Sequence, residues 1–160
     1  MDTTQSLECG DDHLFPRSDL KYQVHERGDG ACGFILEVSF AGKYRPGAAG
    51  RPDAEFMTSI LGAAIARKSL FGALLLDLTD LEYRLGNNIL QPLEVVDHWC
   101  YQLPVRLVII AGHSCIEALE SILTPVGGVR PPNLHESRDI AFAQAVELSR
   151  KWYDDLDRLP

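Results

Sequence analysis

The chain has 160 residues, a formal net charge of −8, 46% hydrophobic and 24% charged residues. This is the length of one globular domain, enough to bury a core without disulfides or metals. The acidic balance and the scatter of the 15 basic residues exclude nucleic acid and anionic membrane as the main partner, since binding either takes clustered Lys and Arg to displace counterions.

No apolar run approaches the roughly 20 residues that span a bilayer. Met1 to Asp12 is polar and acidic, so a signal peptide is not expected. Cys9, Cys32, Cys100 and Cys115 stand far apart with no C-x-x-C pair. They are expected to be reduced thiols of a cytoplasmic protein.

Residues 1–19 lack periodicity and are expected to form a loose arm before a single domain over 20–157. Lys21 to Arg27 alternates weakly and predicts an edge strand. Gly28-Asp29-Gly30 supplies the positive φ of a hairpin turn. Cys32 to Phe40 is the partner strand, with Phe34, Leu36, Val38 and Phe40 on one face and Ile35 on the other. Ala41 to Arg51 reads as a loop; its glycines match no phosphate-binding spacing. Asp53 is expected to cap a helix to about Lys68, whose stripe is Phe56, Met57, Ile60, Leu61, Ala64 and Ile65.

Ala73 to Thr79 is an almost unbroken apolar run, the pattern of a central strand covered on both faces. A helix from near Asn88 to about Gln102 follows, with Asn87 or Asn88 as cap and Pro92 in its first turn. Val105 to Ala111 is a second buried strand. Gly112-His113-Ser114 leads into a helix from Cys115 to about Leu123. A Pro/Gly loop, a short strand near Asn133 to His135 and a last helix, Arg138 to about Asp155 capped by Ser137, complete the chain. The order β-β-α-β-α-β-α-(β)-α predicts an α/β fold, one mixed sheet with an opening hairpin and about four helices packed against it.

Three constellations carry candidate chemistry. Gly112-His113-Ser114 invites comparison with the G-x-S-x-G nucleophile elbow, with His135 and Asp139 downstream as partners for Ser114. Ile116 stands where that motif needs glycine, and Ser114-Cys-Ile-Glu117 also spells a capping box, the preferred reading. Asp77, Asp80 and Glu82 could do acid–base work or hold a cation, yet three acids about a turn are expected to be a solvated rim. The five histidines match no metal-ligand spacing, so neither metal nor cofactor is expected.

The strand Ala73-Leu-Leu-Leu-Asp77-Leu78-Thr79-Asp80-Leu81-Glu82-Tyr83, the buried strand Val105–Ile110 and the helix opening at Ser137 resemble the STAS family, the sulfate-transporter and anti-sigma-factor-antagonist domains, over roughly residues 21–150. The resemblance implies a STAS-like fold and a regulatory role through binding another protein. The family's signature loop, Asp-Ser-[Ser/Thr]-Gly, would fall on Leu85, Gly86, Asn87 and Asn88. Its phospho-acceptor serine is replaced by Gly86, and no serine or threonine lies between Thr79 and Ser114, so the usual kinase switch is not available.

The leading expectation is thus a non-enzymatic bacterial protein-interaction domain. Its contact would be formed by Leu85, Gly86, Asn87 and Asn88 together with His98 and Trp99 on the following helix. A homodimer is left open. Two alternatives stand beside it: a small hydrolase or crotonase-like acyl-CoA enzyme using Ser114 or an oxyanion hole near Gly86, and an antidote or immunity-type protein.

Overall fold

A computed structural model describes residues 17–28, 33–67, 71–99, 106–124 and 126–156, except the side chains of 95 and 97–99. The chain runs β1 (Lys21–Arg27), β2 (Ile35–Lys43), α1 (Arg51–Arg67), β3 (Ala73–Leu78), β4 (Leu81–Glu82), α2 (Leu90–Trp99), β5 (Arg106–Ala111), α3 (Ile116–Leu123), β6 (Leu134–His135) and α4 (Arg138–Leu156), with a short 3₁₀ turn at Gly47–Gly50. The sheet order is β1-β2-β3-β5-β6, with β4 paired to β2 off that path. β1 and β2 form the expected antiparallel hairpin, and all other pairings are parallel.

This topology sorts the helices between the two faces. Each step β2→β3→β5→β6 moves one way across the sheet through a helical crossover, and crossovers of one hand place their helices on one face. Accordingly Phe56, Met57 and Leu61 of α1, Leu93 and Val96 of α2 and Leu119 of α3 share a core with Leu36, Val38, Phe40, Leu74, Leu76 and Ile109. The opposite side chains of the same strands, Ile35, Ala73, Leu75, Val108 and Ile110, pack under Ala141 and Ala145 of α4. Every residue of β3 is buried, which is why its sequence shows no alternation.

Several local expectations change. β2 continues to Lys43, so the connection expected over 41–51 begins as strand. The single strand expected over 73–79 breaks at Thr79–Asp80: Asp77 Oδ1 accepts from the Thr79 N–H (2.9 Å) and hydroxyl (2.6 Å), and the chain resumes as β4 beside the end of β2. This turn of side chain onto nearby backbone competes with the ladder and ends it.

Asp53 is not the cap of α1, which begins two residues earlier. Its carboxylate instead takes the Arg45 guanidinium (2.6 and 2.9 Å), the Arg45 N–H (2.9 Å) and the Ser18 hydroxyl (2.7 Å). The end of the expected arm is therefore tied to the domain, while residues 1–16, residues 29–32 of the expected hairpin connection and the helix end expected near Gln102 lie outside the described residues. No described helix is long and apolar enough to cross a membrane.

Candidate functional site

Three loops meet at the carboxyl ends of the parallel strands: 44–50 after β2, 83–89 after β4 and 112–115 after β5. Open α/β sheets expose their binding groups at this end. The middle loop contains Leu85 to Asn88, and its neighbours hold it from both sides.

Tyr83 is the pin beneath that loop. It is 1% exposed, its N–H donates to the Ser114 carbonyl at 3.2 Å, and its hydroxyl donates to the Gly86 carbonyl. Its ring meets Tyr44 edge to face, centroids 5.4 Å apart at 90°. Burial raises both phenols' pKa values, with the Asp53 and Tyr83 charges adding at Tyr44. Neither ionises near neutral pH.

The loops on β2 and β4 also cross directly. The Gly47 N–H donates to the Leu85 carbonyl (3.3 Å), and the Asn88 side-chain amide donates to the Gly47 carbonyl (2.9 Å). Gly86 has φ +115°, and a Cβ there would stand 2.9 Å from the Gly47 nitrogen. The left-handed φ and the close approach both require glycine. Leu85 remains 59% exposed, Asn87 is exposed, and the Asn87 and Asn88 carbonyls accept the first N–H groups of α2 (3.0 and 3.1 Å).

Of the six residues proposed from sequence as the partner surface, four, Leu85 to Asn88, are adjacent in this loop. His98 and Trp99 occupy the other end of α2, about 15 Å along its axis at 1.5 Å per residue. Their side chains lie outside the described residues. Tyr44, Gly47 and Tyr83 were missed. Gly47 lies within the loop expected over 41–51, and nothing in a linear reading shows which other loop it touches.

Among the described residues the alternative catalytic set is not joined by hydrogen bonds. Ser114 Oγ lies 3.4 Å from His113 Nε2. His135 Nε2 pairs with Gln144 Oε1 at 2.6 Å, and Asp139 is exposed in the first turn of α4. Among the described residues no hydrogen bond joins Ser114 to His135 or His135 to Asp139.

The capping box fails as well. Cys115 occupies the N-cap of α3 with no side-chain cap hydrogen bond. Its thiol instead donates to the Leu78 carbonyl at 3.3 Å. Burial pushes that thiol up to about 11, against a weaker downward pull from a hydrogen bond with Gly112. It is a packing residue in its protonated form.

The acidic cluster divides. Asp80 and Glu82 are exposed, but Asp77 is buried, a correction to the solvated rim expected from sequence. Asp77 and Glu37, which is 2% exposed, both receive the Arg138 guanidinium from the start of α4. Arg27 also binds Glu37 at 2.7 Å. Hydrogen bonding to Glu37 and the two carboxylate charges raise the Arg138 pKa. Each carboxylate has a cation, so the group reads as an ion-pair clamp between α4 and the sheet. Among the described residues no three His, Cys, Asp or Glu side chains converge as metal ligands.

Among solved structures, the chain is similar to the crystal structure of an anti-sigma factor antagonist from Mycobacterium paratuberculosis, at a TM-score of 0.49 and 16% identity over 78% of this chain and 94% of that one. No family model and no curated protein matches the chain.

Proposed function

We propose that the protein is a non-enzymatic, regulatory protein-binding domain whose partner docks on the loop Leu85–Asn88. The observation that carries this reading is the exposure of Leu85 on a loop held firmly from beneath. An apolar side chain of that size, 59% exposed on an ordered support, offers contact area at little ordering cost, the economy that favours recognition. The resemblance of the strand ending Asp77-Leu78 to the STAS family points to the same loop. Glycine at position 86 leaves that loop without the family's phospho-acceptor hydroxyl. Among the described residues Ser114, His135 and Asp139 share no hydrogen bond with one another, which speaks against the hydrolase alternative.

The test is photo-crosslinking in the source cells with benzoylphenylalanine at position 85, and at position 147 on α4 as control. The expected result is one discrete adduct from position 85 and not from 147, with binding to the purified adduct partner weakened at least tenfold by Leu85→Glu. Equal adducts from both positions, or none from 85, would overturn the assignment.

A further inference from the structure

Leu85 is not the most exposed apolar side chain among the described residues. Val126 is fully exposed, Val129 is 88% exposed and Ile140 59%. All three belong to one end of the sheet: Val126 and Val129 precede β6, the last strand, and Ile140 lies in the first turn of α4, which follows it. A cleft of about 540 Å³ opens there, bounded by Arg130, Pro131, Pro132, Leu134, Glu136 and Ile140. That is the size of a ligand cleft. Exposed apolar side chains gathered beside a cleft mark an interaction site, where scattered ones do not.

The strand at this cleft has an open edge. Among the described residues β6 pairs with β5 alone. The Ile109 N–H donates to the Asn133 carbonyl at 2.8 Å, so alternation along the strand turns both backbone groups of Leu134 away from β5. Its N–H folds back onto the Pro131 carbonyl at 3.1 Å. Its carbonyl is left facing outward, an acceptor for a main-chain N–H.

Charge selects what can occupy the site. The carboxylates of Glu120, Glu136 and Asp139 stand about the cleft with the single guanidinium of Arg130 to answer them. Arg130 pairs with Glu120 at 2.8 Å and with Glu136 at 3.4 Å, while Asp139 is exposed beside Ile140. Arg138, the next cation, is committed to Glu37 and Asp77. The rim is acidic, on a chain whose net charge is −8. A second copy would set like charges face to face, a costly arrangement, whereas a basic segment gains from the same field.

We propose that this end of the sheet is a docking site for an extended basic segment of another protein. The segment seats one apolar side chain in the cleft, donates a main-chain N–H to the Leu134 carbonyl and sets Lys or Arg against Glu136 and Asp139. The strand edge supplies main-chain bonding, and the cleft and rim supply selectivity. None of this rests on the Leu85 reading, since that loop follows β4, which pairs with β2 on the other side of β3.

Titration of the isotope-labelled full chain with two amidated peptides, followed by its amide shifts in nuclear magnetic resonance, tests the site. One peptide is Lys-Val-Lys-Leu-Lys-Val-Lys, and the other has Glu at each Lys. The basic peptide is expected to move the amides of 126–140 and to bind at least about tenfold more tightly than the acidic one. Charge alone draws a basic peptide to any acidic surface, so the apolar arm decides. Ile140→Ser leaves every charge in place and is expected to weaken the basic peptide about fivefold. Glu136→Gln combined with Asp139→Asn is expected to weaken it about tenfold. Leu85→Ser is expected to leave its affinity unchanged. No binding of the basic peptide, shifts spread over other surfaces, or full affinity in Ile140→Ser overturns the inference. Loss of binding in Leu85→Ser also overturns it, by placing the peptide on the other loop.

Discussion

The clamp beneath α4 and the crossing of the two loops both join distant parts of the chain, yet they use opposite chemistry. The clamp sets the buried carboxylates of Glu37 and Asp77 against the guanidiniums of Arg138 and Arg27. The crossing uses neutral groups: three backbone carbonyls, a backbone N–H, a side-chain amide and a phenol. A charged clamp tolerates small shifts in geometry but leaves a buried charge behind when broken. A neutral crossing is insensitive to pH, and it depends on close backbone approach that one methyl group can prevent. Helix attachment thus rests on electrostatics, and the candidate site rests on shape.

The largest expected effect is on the clamp. Arg138→Met leaves Asp77 without a cation and Glu37 with Arg27 alone, and should cost about 3 kcal/mol in urea unfolding. An Arg138→Met chain as stable as the parent would show that the carboxylates are already well hydrated, and would remove the contrast.

Next comes the crossing. Gly86→Ala should cost about 2 kcal/mol, combining a left-handed φ with a steric conflict, whereas Gly47→Ala, with only the φ to overcome, should cost about 1 kcal/mol. Equal costs at the two glycines would mean that the loops do not touch as closely as the 2.9 Å approach implies.

A third test uses Asp53, the charged group at the foot of the neutral loop. Burial alone would push its carboxyl up, but hydrogen bonds from Arg45 and Ser18 outweigh it and hold the group below the usual carboxylate range. Because the folded value lies below the unfolded one, this stabilisation is complete above about pH 4 and is lost as pH falls through the folded value. In Arg45→Met the guanidinium's pull is lost, while the Ser18 hydroxyl and the backbone N–H at position 45 still hold the carboxylate. The folded carboxyl then rises toward the unfolded value and less stability is lost on protonation, so the defect should shrink as pH falls from about 5 to 3. Urea titrations of both chains across that range would show it.

The smallest effect is at Ser114. With no side-chain cap on α3, Ser114→Ala should change stability by less than about 0.5 kcal/mol, where a capping box would lose about 1 kcal/mol. Thermal melts separate the two.

Much of the fold was legible because it follows from local periodicity. Leu74 to Leu76 and Val108 to Ile110 carry no alternation, since both faces of their strands are covered. The weak alternation of Lys21 to Arg27 matched an edge strand, and Pro92 fell in the first turn of α2. Errors clustered where a side chain took a partner outside its own turn: Asp53 turned to Arg45, Asp77 added Arg138 to its local bond with Thr79, and Asn88 turned to Gly47. The last two pairings join residues 61 and 41 positions apart, which sequence spacing does not encode.

The amino-acid sequence by itself determined the strand–helix order, the mixed sheet with its opening hairpin and the loop most worth attention, because burial pattern and turn chemistry are local. It also determined that position 86 has no hydroxyl. Only the tertiary structure decided that His135 pairs with Gln144, that Asp77 and Glu37 are clamped by Arg138, and that Gly86 is glycine for want of room against Gly47. The physical reason is the same in each case. Side-chain and backbone partners are selected by proximity in space, and proximity is set by how the crossovers stack the strands.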